Sequence, residues 1–134
     1  IINEKVKHRE SFRPFAPSIL REEVSNWFER DVDSPYMSFA LKFQEEVRHK
    51  VPAVVHFDGT GRLQTVSKDS NPLYYKLINE FYNLTEVPVI INTSMNVKGE
   101  PIVNTPEQAY NMLTTGMISS MTYIICLIWA WSCP

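Results

Sequence analysis

Apolar residues recur at helical spacing in three stretches of the chain. Arg21 to Glu29 puts Val24, Trp27 and Phe28 on one face. Pro72 to Leu84 does the same with Leu73, Leu77, Ile78, Phe81 and Tyr82, and Asn71 stands where a helix cap belongs. Thr105-Pro106-Glu107 opens a third helix, a hydroxyl followed by proline at the first helical position, and the pattern carries it to about Leu113. Shorter runs read as strands. Ala53 to Phe57 is one, with Leu63 to Val66 as its hairpin partner across the loop Asp58-Gly59-Thr60-Gly61. Val87 to Asn92 is a continuous apolar run of the kind buried in a sheet, and Tyr36 to Phe43, which fits either period, is read as a strand. Helices and strands interleave, so the predicted class is α/β or α+β, with helices packed on a mixed sheet.

At 134 residues, with 44% hydrophobic and 21% charged positions, the chain has the size and make-up of one soluble globular domain. The net charge of −2 argues against a general nucleic-acid binder. Cys126 and Cys133 match no metal spacing or disulfide framework and read as free thiols in a reducing, cytoplasmic setting. Ile1 to Arg13 has no signal-peptide pattern, and Ile1 is not a start residue, so the chain is expected to be a fragment of something longer. Met117 to Trp131 is almost wholly apolar, but a bilayer span needs about 20 residues, so a buried strand or an artefactual end is expected there rather than a membrane anchor.

Three constellations could carry chemistry. In Lys5-Val6-Lys7-His8-Arg9-Glu10-Ser11-Phe12-Arg13, an extended chain would place Lys7, Arg9 and Arg13 on one side, a seat for a triphosphate. The competing reading is a solvated basic face paired with Glu4 and Glu10. Asp58-Gly59-Thr60-Gly61-Arg62 could bring backbone N–H groups and Arg62 to an anion, or be an ordinary Asp-Gly turn. Asn92-Thr93-Ser94-Met95-Asn96 follows the apolar strand, where α/β proteins place ligand contacts. Ser94 could donate to phosphate, and Asn92 and Asn96 offer amides to a base, ribose or carbamoyl group; the alternative is a polar turn. No P-loop or G-x-G-x-x-G occurs, no metal-ligand spacing links His8, His49 and His56, and His56 is expected in the core of a strand.

In order along the chain, Ile2–Glu10, Phe12–Ser18, Ser34-Pro35-Tyr36-Met37, Pro52–Thr60, Arg62-Leu63-Gln64-Thr65-Val66, Asn92–Asn96 and Gly99-Glu100-Pro101-Ile102-Val103 resemble the C-terminal domain of carbamoyltransferases. That family includes enzymes of nodulation-factor, cephem and aminoglycoside biosynthesis. The resemblance covers Ile1 to about Thr115, giving a partial domain over 1–116 that lacks the glycine- and arginine-rich opening motif, followed by an atypical apolar tail over 117–134 that points to a frameshift or a misjoined end. Glu86 stands where the family usually has glycine, and Met95 where it has phenylalanine.

The resemblance implies a YrdC-like twisted mixed sheet with packed helices around a basic cleft. It implies a parent enzyme that activates carbamoyl phosphate with ATP and Mg²⁺ to carbamoyl-adenylate, with Lys7, Arg9, Arg13, Arg62, Asn92 and Ser94 on positions that bind ATP and carbamoyl phosphate. It also implies a Kae1-like domain in cis that would hold iron and transfer the carbamoyl group to an alcohol acceptor. No metal ligand is expected in this chain and no catalytic residue is assigned. The alternatives are a nucleotide- or RNA-binding module without turnover, and a fragment that is inactive alone.

Overall fold

In the computed structural model, residues 3–4, 7–8, 10–96 and 99–114 are described. Arg9, both cysteines and the apolar tail over 117–134 lie outside the described residues. The chain divides into two compact units, Pro14–Thr93 and a second formed by Ile1–Arg13 with Ser94–Pro134.

The unit Pro14–Thr93 is built on a four-stranded sheet in the order β2-β3-β1-β4. Its strands are β1 (Ala16–Leu20), β2 (Phe39–Lys42), β3 (Thr60–Val66) and β4 (Val89–Asn92). β1 runs parallel to β3 and antiparallel to β4, and β2 is antiparallel to β3. The sheet is therefore mixed, and with its helices the unit is α+β, as expected. Side chains alternate between the two faces of a strand, and the register sorts them cleanly. Ile19, Leu41, Leu63 and Val89 share one face and are buried. Ser18, Arg62, Gln64 and Asn92 share the other.

The helix α2 (Pro72–Thr85) starts as read: the Asn71 side chain accepts from the Tyr74 N–H at 3.2 Å and Pro72 opens the first turn. It packs on β1 and β4 and buries Tyr74 and Ile78. It stops at Glu86, which adopts the left-handed conformation (φ 59°) while its N–H caps the Tyr82 carbonyl at 2.8 Å.

Several expectations are corrected. Ala53–Phe57 is not a strand. Val54 N–H closes a turn on Val51 O and Gly59 N–H closes another on His56 O, the second needing a positive φ of 80° at Gly59. Val51 and Val54 are apolar because they are core plugs between turns, a role that periodicity cannot tell from a buried strand. His56 thus leaves the strand and lies half-buried in the turn, its Nδ1 3.1 Å from Thr60 Oγ1. Thr60 and Gly61 belong to β3, whose antiparallel partner is β2 rather than a preceding hairpin arm. The helix expected over Arg21–Glu29 is a 3₁₀ turn, Arg21–Glu23, and one turn of α1 (Val24–Trp27). It ends because Phe28 extends (φ −120°, ψ 150°) to pair with Phe43, the two rings lying 4.2 Å apart.

In the other unit, α3 (Pro106–Thr114) begins where Thr105-Pro106 predicts, with Thr105 Oγ1 accepting from Gln108 N–H at 3.3 Å. The extended basic segment is corrected here. Arg13 N–H closes a turn on Glu10 O at 3.3 Å, and His8 has a positive φ of 46°. A continuous extended run from Lys7 to Arg13 therefore does not form, and the shared side argued from period two is lost.

Candidate functional site

The polar face of the sheet is organised by Gln64. The carbonyl of Pro35 can only accept, so the Gln64 amide nitrogen faces it at 3.3 Å. The Gln64 oxygen then faces the opposite way and accepts two hydrogen bonds, from Ser18 Oγ at 2.6 Å and from Asn92 Nδ2 at 2.6 Å. Ser18 is wholly buried and Asn92 is 6% exposed. The second N–H of Asn92 points to Met37 Sδ at 3.5 Å. Both donors of the Asn92 amide are thereby used, and its oxygen carries no hydrogen bond among the described residues.

Arg62 stands on the same face. Its Nε donates to Met37 O at 3.1 Å. Asn92 pairs with Ala16 across β4 and β1. Arg62 and Asn92 thus lie on one face of the sheet, on β3 and β4, the strands that flank β1. Met37 meets both, its carbonyl accepting from Arg62 and its sulfur lying beside the Asn92 amide. It holds a positive φ of 58°, unusual for a side chain of its size, in a loop pinned by buried Ser34. The Ser34 hydroxyl donates to Leu63 O at 2.9 Å and accepts from Ser38 N–H at 3.1 Å. The Ser34 N–H donates to Thr65 Oγ1, which in turn donates to Asp33.

A second polar group lies in the other unit, around the turn Ser94–Asn96 that follows β4 in the chain. Lys7 is buried, and its Nζ has four oxygens within reach: Ser94 O at 2.6 Å, Ser94 Oγ at 3.3 Å, Asn96 O at 2.7 Å and Asn96 Oδ1 at 2.9 Å. An ammonium has three protons, so the Ser94–Asn96 turn can engage all of them. Ser94 Oγ donates to Asn96 Oδ1 at 2.7 Å, and Asn96 Nδ2 donates to Glu100 O at 2.9 Å. Lys7 ties this turn together; for it to hold a phosphate as well, one of these oxygens would have to be exchanged. Arg13 is half exposed, 3.7 Å from Glu10. The Asn3 amide holds the backbone carbonyls of Ser11 and Arg13 at 3.1 and 2.7 Å.

The sequence residues therefore gather as Lys7 with Ser94, and as Arg62 with Asn92. Asp58 belongs to neither group. Its carboxylate accepts from the Thr60 N–H at 3.0 Å and the Thr60 hydroxyl at 2.7 Å, and these bonds, the backbone one foremost, hold its pKa below the ordinary 3.8. Gln64, Ser18 and Met37 were not singled out from the sequence. Gln64 was the findable one, since it alternates with Arg62 along β3.

The model of the carbamoyltransferase C-terminus matches residues 1–128. This chain belongs to that family. The match runs past Thr115, where the resemblance was read to fade. The carbamoyltransferase domain is 44% identical over 117 residues to nodulation protein NolO of Bradyrhizobium diazoefficiens, covering 85% of this chain and 21% of that protein. It is 43% identical over 98 residues to nodulation protein U of Rhizobium tropici, covering 73% and 17%. An uncharacterized protein of Synechocystis is 42% identical over 145 residues, covering 93% and 23%. The carbamoyltransferase domain thus spans about a fifth of the length of these curated relatives. No helix among its described residues is long and apolar enough to cross a membrane.

Proposed function

We propose that this domain is the nucleotide-activating part of an O-carbamoyltransferase, and that it binds carbamoyl phosphate and ATP. The observation that carries the reading is that Arg62 and Asn92 share the polar face of the sheet and both meet Met37. A guanidinium matches a phosphate bidentately, an amide oxygen matches an N–H donor, and carbamoyl phosphate carries both groups a few bonds apart.

In the reaction, water attacks carbamoyl phosphate to release phosphate and leave carbamate. A carbamate oxygen then bonds to the α-phosphorus of ATP as the bond to the β-phosphate oxygen breaks, giving carbamoyl-adenylate and pyrophosphate. The chain contributes positioning and fixed charge. Arg62 holds the acyl phosphate oxygens, and Arg9 and Arg13 supply cations for the triphosphate. Lys7 keeps the Ser94–Asn96 turn in shape and brings its positive charge to that turn, where Ser94 meets the nucleotide. The described residues contain no group of three or more His, Cys, Asp or Glu that could hold a metal. Mg²⁺ would come on the phosphates of ATP, and iron and the alcohol acceptor would belong to a Kae1-like domain of a longer, cytoplasmic parent.

The test is ATP–pyrophosphate exchange by a full-length carbamoyltransferase carrying this domain. Arg62→Ala and Lys7→Ala are expected to abolish it, and exchange at the unaltered rate in both variants would refute the assignment.

A further inference from the structure

We infer that Gln64 is a positioning residue that turns Asn92 into an obligate hydrogen-bond acceptor, and that this acceptor selects the NH₂ of a carbamoyl group over the methyl of an acyl group. The inference rests on the proposed acyl phosphate site and deepens it.

An asparagine amide offers two chemically opposite ends, and a free one rotates to suit its ligand. Asn92 is not free. The Pro35 carbonyl sets the direction of the Gln64 amide, and the Gln64 oxygen then claims one Asn92 N–H while Met37 Sδ takes the other. Rotating Asn92 would set its oxygen against the oxygen of Gln64, 2.6 Å from the present Nδ2 position. Gln64 cannot rotate in compensation, because its own oxygen would then face the Pro35 carbonyl. Ser18, wholly buried, donates its O–H to the same Gln64 oxygen as a second donor and reinforces the direction. A ligand that reaches the Asn92 amide therefore meets its oxygen and must bring a donor to it. Carbamoyl phosphate has that donor. Acetyl phosphate, nearly the same in shape and equal in the phosphate presented to Arg62, does not, and would leave the acceptor buried without a partner.

The chain is titrated by calorimetry with carbamoyl phosphate and with acetyl phosphate, as wild type, Gln64→Leu and Gln64→Glu. Preference for carbamoyl phosphate is expected at about ten- to a hundredfold in the wild type. It should collapse to near unity in Gln64→Leu. In Gln64→Glu, whose carboxylate can still accept from Asn92 and Ser18, both ligands should weaken together and the ratio should survive. A role confined to folding would weaken both ligands alike in every variant. Equal affinity of the wild type for the two ligands overturns the inference, and so does an unchanged ratio in Gln64→Leu.

A second arm needs no ligand and reads the chain with ¹⁵N-asparagine. The Asn92 NH₂ pair is expected to be slow to exchange in the wild type and in Gln64→Glu, and to take on the shifts of a solvated asparagine in Gln64→Leu. Failure of the wild type to bind either ligand would defeat the acyl phosphate reading and the selectivity with it. The amide spectrum would then decide the role of Gln64 by itself, and an Asn92 pair unmoved by Gln64→Leu overturns that role.

Discussion

Gly61 lies flat against the ring of Phe43: a Cβ on its backbone would stand 2.4 Å from Phe43 Cε2 and 3.2 Å from Val54 O. Phe43 is fully buried and stacked on Phe28, so it has no room to yield. Gly61→Ala is expected to destabilise the unit Pro14–Thr93 by about 1–3 kcal/mol through overpacking. Urea unfolding of the two proteins checks this. An unchanged midpoint would mean that the Phe28–Phe43 pair is loosely held.

Glu86 ends α2 with a φ of 59°, a conformation that costs a residue with a Cβ about 1 kcal/mol and glycine almost nothing. Glu86→Gly should therefore raise stability by about 1 kcal/mol, part of which the greater freedom of glycine in the unfolded chain takes back. A thermal melt reads the shift, and a lower melting temperature would contradict the cap geometry.

Lys7→Met removes the ammonium from a buried place and leaves Ser94 O and Asn96 O without that donor. The expected cost is about 1–3 kcal/mol, the penalty of burying unsatisfied acceptors. Amide exchange at Ser94–Asn96 should rise well above the wild-type rate; unaltered protection there would show that Lys7 is not the tie.

The Asp58 carboxylate is stabilised by the Thr60 N–H first and the Thr60 hydroxyl second, which lowers its pKa. A lowered acid contributes stability above its unfolded value of about 3.8, lost as pH falls through the folded value. Thr60→Val deletes the hydroxyl bond and keeps the backbone one. By NMR titration the Asp58 pKa should move up toward 3.8 without reaching it. No movement would assign the whole depression to the backbone.

Legibility followed the locality of the signal. Asn71-Pro72 and Thr105-Pro106 announce helix starts through bonds that reach three residues, and both starts are where the sequence puts them. β1 went unread because Pro17 demotes a strand. The structure tolerates it because pairing with β3 begins only at Ser18, one residue later. Val51 and Val54 misled because burial makes a residue apolar whether its backbone is extended or turned. The proposal of Arg62, Asn92 and Ser94 as ligand contacts comes from their chemistry and the family pattern. Gln64 acts only through a register that joins β1, β3 and β4, and nothing in its neighbours along the chain reveals Pro35 or Ser18 as its partners.

β1 leads the chain into the sheet yet sits inside it, between β3 and β4. During synthesis Ser18 must wait for Gln64 and then for Ile90 before both of its edges are covered, roughly 4–14 s at ribosomal speeds of 5–20 residues per second. A nascent chain halted before β4 would carry β1 with one edge still unpaired, a state open to capture by a chaperone or by another unfinished copy.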